Sequence, residues 1–428
     1  MSAAPENSSP APAADPYEVL RDPNILRYLL GRFIVNSGQQ MFVVAVGWEI
    51  YERTNSAMSL GLVGLTQVLP MYLFTLMAGH LADNHSRKRI ILTTTSVVAV
   101  ANIGLALVSA FQAPVPWIYV CLFIASSART FGGAAIASFL PQLVERNLFS
   151  RAVTWNSGVF QASCIIGLSL GGVLIEIFGH HAWPIYAINA LAAASFCVLL
   201  GGVRMKPVVL NREPMTFKNL LTGFSFVFST RIILGIITLD MFAVLLGGAT
   251  ALLPIYAKEI LHVGARGLGF LQAALPFGSV LCALYLAHRP PLQKAGRALL
   301  WSVFGFGLAT IGFGLSQWFW LSLAMLMACG IVDNVSVVVR HTLVQTLTPD
   351  EKRGRVSAVN NLFIGTSNEL GEFESGTVAR LCGPALGFTN AVGATISVVA
   401  GGVGTLIVVG AVALLWPEIR RYGRLDQH

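Results

Sequence analysis

About twelve apolar runs, each long enough to cross a bilayer, constrain this chain more than any other feature. They fall at about 26–51, 57–82, 90–112, 116–142, 152–178, 183–203, 231–257, 266–287, 297–316, 319–346, 355–380 and 387–416. A helix rises ~1.5 Å per residue, so about 20 apolar residues span the hydrocarbon of a membrane. Composition agrees: 55% of the 428 residues are hydrophobic and 11% are charged, against roughly 25% charged in a soluble domain. So apolar a chain has too little polar surface to coat a water-facing globule. The expected fold is an all-α polytopic membrane protein with twelve transmembrane helices. A disordered chain, a disulfide scaffold and a collagen-like fibre are excluded by the same composition.

An even number of spans puts both termini on one side, and the cations say which. With the N-terminus inside, inner segments hold 21 of the 28 Lys and Arg residues, outer segments hold four, and Arg32, Arg129 and Arg340 fall within spans. That bias predicts cytoplasmic termini. It also accounts for the net charge of +8 as topology rather than as a nucleic-acid surface. The six cysteines lie in or beside apolar runs without metal-ligand spacing, so neither a disulfide frame nor a metal site is expected.

The longest inner connector, 204–230, divides the chain into halves that repeat. A shift of 204 residues aligns Arg27 with Arg231, Gly31 with Gly235, Arg151 with Arg355, Gly167 with Gly371 and Gly172 with Gly376. With one or two extra residues, Gly64, Gln67 and Pro70 meet Gly269, Gln272 and Pro276. The expected organisation is a disordered cytoplasmic tail (1–24), a six-helix bundle (25–203), a central cytoplasmic linker (204–230), a second bundle (231–416) and a short cytoplasmic tail (417–428).

The loop after the second run reads Gly79-His80-Leu81-Ala82-Asp83-Asn84-His85-Ser86-Arg87-Lys88-Arg89. Together with the six-plus-six pattern it resembles the signature loop of the major facilitator superfamily, with Asn84 and Ser86 in place of the usual Arg and Gly. The resemblance implies two pseudo-symmetric six-helix bundles that rock around a site near the midplane. It also implies an inner gate at Gly79, Asp83, Arg87 and Arg89, held shut in the outward-open state, with Arg146 or Arg151 as partner for Asp83 and Glu145 for Arg87. Arg129-Thr130-Phe131-Gly132-Gly133-Ala134-Ala135 is similar to the Arg motif of proton-coupled members, with Gly132 at the usual Gln. Gly167-Leu168-Ser169-Leu170-Gly171-Gly172 looks like the antiporter motif of drug exporters without its Pro. The run from Leu343 to Gly376 resembles the drug:proton antiporter branch that includes enterobactin and macrolide exporters.

Charges inside spans are expensive and are functional candidates by default. Arg129 falls about 14 residues from its span end, roughly 20 Å deep. Asp240, Asp333, Glu369 and Glu372 lie mid-span in the second half, and the repeat maps Arg129 onto Asp333 and Asn36 onto Asp240. A carboxyl that is paired in one state and free in the other can carry a proton across. Arg129, Asp240, Asp333, Glu369, Glu372, Arg340, Arg32 and Asn36 are therefore the expected coupling and cavity residues. Phe33, Phe131, Phe242 and Tyr256 are candidates for stacking on substrate.

No P-loop, zinc constellation, catalytic triad or dinucleotide fingerprint occurs, so neither catalysis nor a cofactor is expected. The leading expectation is a monomeric proton antiporter of a bacterial inner membrane, exporting an amphipathic small molecule such as a siderophore or drug-like compound. Its expected partners are that substrate, protons and lipid, and not nucleic acid. A proton-independent facilitator or importer of a metabolite or lysolipid is the alternative, and a non-transporting membrane sensor is the alternative of another class.

Overall fold

A computed structural model describes residues 17–145, 148–204, 225–289, 294–421 and 423, without the side chains of residues 76, 83, 150, 249, 350–355, 358 and 421. Twelve long helical segments are found among the described residues: α1 (Pro23–Thr54), α2 (Ala57–Asn84), α3 (Arg87–Ala110), α4 (Pro116–Ala137), α5 (Phe149–Ile177), α6 (Trp183–Gly201), α7 (Arg231–Leu246, continued by short turns to Ile260), α8 (Gly264–Ala287), α9 (Ala295–Gly314), α10 (Phe319–Leu347), α11 (Asp350–Cys382) and α12 (Asn390–Leu415). Eleven are long and apolar enough to cross a membrane. The other, α11, carries too many charges and polar residues to qualify on composition, yet it packs inside the bundle against α2, α7 and α12.

Local chemistry sets the helix ends. Asp22 accepts from the Asn24 N–H at 2.8 Å and Pro23 opens α1, the arrangement favoured at a helix start. Ser56 and Thr389 cap α2 and α12 in the same way. Asn55, in the left-handed region, ends α1. Pro70 and Pro276 interrupt α2 and α8 at corresponding points of the two halves.

The end of the expected disordered tail is in fact folded. Glu18–Arg21 forms a helical turn, Val19 is buried, and Glu18 pairs with Arg151 at 2.7 Å. A buried Val and an ion pair supply contacts that the Pro- and Ala-rich composition upstream could not. Residues 1–16 and 205–224, which carry most of the expected tail and linker, lie outside the described residues.

Packing repeats between the halves. In the first, α1 lies on α5 and α6, α3 on α4 and α6, and α2 on α4. In the second, α7 lies on α11 and α12, α9 on α10 and α12, and α8 on α10. The map is the same after a shift of six helices. The halves meet mainly through α2 on α11 and α5 on α8, two crossings that the repeat also interchanges.

Both described chain ends lie at one end of the molecule, the terminal end. There Arg27 donates to the Gly202 carbonyl at 2.9 Å, the Arg204 N–H donates to Asn24 Oδ1 at 3.0 Å, and the Ala295 N–H donates to the Gly423 carbonyl at 3.0 Å. At the opposite, far end the halves are locked together. Lys258 pairs with Glu52 at 2.7 Å, the Tyr51 hydroxyl donates to Glu259, and Asn390 Nδ2 donates to the Asn55 carbonyl at 2.8 Å. Gly172 abuts Gly269, and Gly376 abuts Gly61. Nothing bulkier than glycine fits at these backbone crossings.

Candidate functional site

In the first half, α4 carries Arg129 into the interior. Its Nη2 donates to Ser126 Oγ at 2.8 Å and to Gln67 Oε1 of α2 at 3.3 Å, and the guanidinium lies 5.9 Å from the Phe42 ring centroid. Arg32 and Asn36, one turn apart on α1, reach the same region. With Gln39, Thr94, Thr95 and Arg129 they line a cavity of about 140 Å³ between α1, α3, α4 and α6.

In the second half, Asp333 of α10 and Glu372 of α11 line a cavity of about 260 Å³ with Asn368, Thr250 and Thr310. The seventh span breaks at Gly247–Gly248, where a Cβ on Gly248 would lie 2.8 Å from the Gly371 backbone of α11. That close approach brings Thr250 beside Glu372. Both residues also line a third cavity, of about 70 Å³, between the halves, whose other walls include Phe42, Val46, Leu60, Gln67, Leu122, Pro254 and Gln272. Glu372 lies against Gly64, where a Cβ would be 3.0 Å from Oε2. Glu369, one turn earlier on α11, has a buried Oε2 without a hydrogen-bond partner and interacts electrostatically with Arg129 of the opposite half.

Five of the sequence candidates therefore line cavities, Arg32, Asn36 and Arg129 in the first half and Asp333 and Glu372 in the second, and only Glu372 also lines the cavity between the halves. Asp240 and Arg340 do not join them. They form a buried ion pair between α7 and α10, so each neutralises the other within the second half. Of the aromatic candidates, Tyr256 is fully buried, donates to the Gly314 carbonyl at 2.9 Å and packs on Phe313 at 4.5 Å. Phe131 packs on Phe74 at 5.6 Å, the Phe33 carbonyl accepts from Ser163 of α5, and Phe242 is exposed. None of Phe33, Phe131, Phe242 or Tyr256 lines the three cavities, whereas Phe42 does.

At the signature loop, in this state with the far end closed, Arg87 donates to the Ser138 carbonyl at the end of α4 at 2.9 Å, and Glu145 is exposed. Arg151 pairs with Glu18, and Arg89 is exposed. Gly79 lies in the last turns of α2, while the Asp83 side chain and Arg146 lie outside the described residues. Gly167 and Gly171 of the fifth-span motif pack on α1 of their own half, and Gly172 meets the opposite one.

Sequence reasoning passed over the far-end latch and the group beside it. Glu49 is buried, pairs with Arg53 at 3.2 Å and accepts from the Tyr186 hydroxyl at 2.7 Å. A Glu four residues before an Arg was the available signal. Tyr186→Phe should lower stability by about 1–3 kcal/mol, read as a fall in the unfolding temperature of purified protein. An unchanged temperature would show that Glu49 is satisfied without the hydroxyl.

Among the described residues no cluster of His, Cys, Asp and Glu could hold a metal, and all six cysteines are free. The sequence profile of the Major Facilitator Superfamily matches residues 28–371. The enterobactin exporter EntS of Escherichia coli O1:K1 / APEC is 27% identical over 396 residues, 92% of each chain, and that of Citrobacter koseri is 28% identical over the same shares. Among solved structures, a bacterial homologue of the human lysosomal transporter Spinster, inward-facing and unoccupied, superposes with a TM-score of 0.74 at 16% identity, covering 97% of this chain and all of the other. The nucleoside transporter NupG superposes at 0.73 with 13% identity, covering 92% and 99%. A bacterial homologue of the iron transporter ferroportin, inward-facing, superposes at 0.67 with 14% identity, over the same shares. The packing map, the two glycine crossings and the profile match agree: this chain is a multi-pass secondary transporter, not an enzyme, and belongs to the Major Facilitator Superfamily.

Proposed function

We propose that this transporter exports an amphipathic small molecule, of the siderophore or drug-like class, by proton antiport across a bacterial inner membrane, with both termini cytoplasmic. The observation that carries the reading is the position of Glu369 and Glu372. Both sit on α11, at the crossing with α2 that must open when the halves rock, and Glu369 faces Arg129 from the other half. In the state described here the far end is latched and Glu372 borders cavities between and within the halves. Separating the halves at the far end draws α11 away from α2 and Arg129. A carboxyl freed from that guanidinium takes a proton, and one restored to it gives the proton up. The apolar walls of the inter-half cavity hold the greasy part of a substrate, and its small volume means that loading requires the halves to widen.

The relatives support the direction and the cargo class, since the matched enterobactin exporters align over 92% of the chain. The bias of 21 inner against four outer cations supports the cytoplasmic placement of the termini.

The test is uptake into inside-out proteoliposomes, with a fluorescent macrolide and a catecholate siderophore as probes. An inward-acid pH gradient should drive accumulation of at least one probe, nigericin should abolish it, and Glu372→Gln should reduce the driven rate by about tenfold or more, as loss of one charge-assisted interaction does. The variant should retain downhill exchange. Equal transport with the gradient collapsed would replace the antiporter reading with a facilitator.

A further inference from the structure

We propose that the cavity between α1, α3, α4 and α6 is an oxyanion subsite, taking a carboxylate or phosphate group of the transported molecule, with Arg32 as its principal contact. The inference rests on the reading of the chain as a small-molecule transporter and adds the charge of the cargo.

The cavity has a one-sided lining. Arg32, Arg129, Asn36 and Gln39 supply donors, and no Asp or Glu is among its described walls. Two of those donors are stranded: Arg32 Nε and Asn36 Nδ2 are buried without an acceptor. They stand one turn apart on the same face of α1, so both point at one spot. Arg129 is held from behind by Ser126 and Gln67, which fixes its guanidinium rather than neutralising it. Donors left without acceptors beside a partly dry cavity, one of them on the Arg32 guanidinium, raise the energy of the empty state. An oxyanion that accepts from both removes that cost and satisfies the stranded amide.

Size argues for a subsite rather than a whole binding site. About 140 Å³ accommodates a carboxylate or phosphate group, but a drug-sized molecule needs ~300 Å³ or more. The remainder of the substrate has a route, because Gln67, which bonds Arg129, also lines the inter-half cavity beside Phe42 and Leu122. Gly132 and Gly133 border the same space, and beside Gly133 a Cβ would meet nothing within 4 Å. The second half opposes this with Asp333 and Glu372, so the anionic group is directed to the first half.

The experiment is thermal unfolding of the full chain in phosphatidylcholine nanodiscs, titrated with benzoate, inorganic phosphate and neutral benzamide. Benzoate or phosphate should raise the unfolding temperature saturably, and benzamide should not. Arg32→Gln should weaken the oxyanion response by about ten- to a hundredfold, and Arg32→Lys should keep part of it. Without added anion, Arg32→Gln should unfold no earlier than the native chain, since it removes a half-buried cation whose Nε lacks an acceptor. A second disc series containing phosphatidylglycerol separates the sources. Stabilisation by that lipid alone, lost in Arg32→Gln, makes the oxyanion a lipid headgroup; stabilisation by solutes in neutral discs makes it a soluble cargo group. Equal responses to benzoate and benzamide, or an unaltered response in Arg32→Gln, would overturn the subsite. Because no gradient is present, a negative result beside intact proton-driven efflux rejects the subsite alone, and the reverse result rejects antiport alone.

Discussion

Gly172→Val should leave the transporter resting open at its far end. A Cβ at this position would lie 2.5 Å from the Ala265 carbonyl oxygen and 2.9 Å from the Gly269 backbone, both on α8 of the opposite half. Backbone atoms cannot swing aside as a flexible side chain can. Overpacking of this kind costs about 1–3 kcal/mol, and it falls only on the state in which α5 and α8 cross closely. Alternating states differ by only a few kcal/mol, so the variant should shift their ratio by about five- to a hundredfold. Gly376→Val acts on the repeat-related crossing, where a Cβ would lie 2.7 Å from the Ala57 oxygen and 2.8 Å from the Gly61 Cα. The check is labelling of Thr250→Cys, in the wall of the inter-half cavity, by an impermeant maleimide added from the far side. Labelling should be slow in the parent and fast with Gly172→Val. Equal rates would mean that these crossings do not seal the far end.

Asp240→Ala should be among the most damaging single changes for stability. Asp240 and Arg340 are 8% and 3% exposed and pair with each other. Removing one partner of a buried pair costs about 3–5 kcal/mol, because the other charge is left unpaired, whereas replacing both with neutral groups costs far less. The unfolding temperature should drop sharply in Asp240→Ala and recover at least half of the loss when Arg340→Met is added. The double variant also separates two roles. If it is stable and still transports with a pH gradient, the pair is a brace between α7 and α10. If it is stable and uncoupled, Asp240 takes part in proton movement.

The sequence made the gross plan readable, because every span must solve the same problem of length and apolarity, and scarce charges mark the ends and interiors. Arg129, Asp333 and Glu372 were findable for that reason. Asp240 was harder. The repeat relates it to Asn36, which lines a cavity, but Asp240 instead pairs with Arg340 on a neighbouring helix. Arg340 follows Asp333 on α10, and spacing within one helix carries no information about which residue of another helix comes within reach. Tyr256 was a candidate only as an aromatic of the seventh span, and composition carries no sign that the span breaks at Gly247–Gly248 or that this ring is buried. The far-end latch was invisible because Glu52, Lys258 and Glu259 sit at loop edges, where charges are ordinarily solvated. Only tertiary packing brings the α1 and α7 ends together.

The central claim is that the two halves exchange openings between the ends as α11 gains and loses protons. Paired spin labels test it most directly, with Gln112→Cys and Gln317→Cys across the far end and His85→Cys and His288→Cys across the terminal end, all four sites being exposed. Electron–electron resonance distances should change reciprocally when pH or substrate is varied: as the far pair lengthens, the terminal pair shortens, and Glu372→Gln should reduce the response to pH. Two distance distributions that stay fixed, or that lengthen together, would contradict the account.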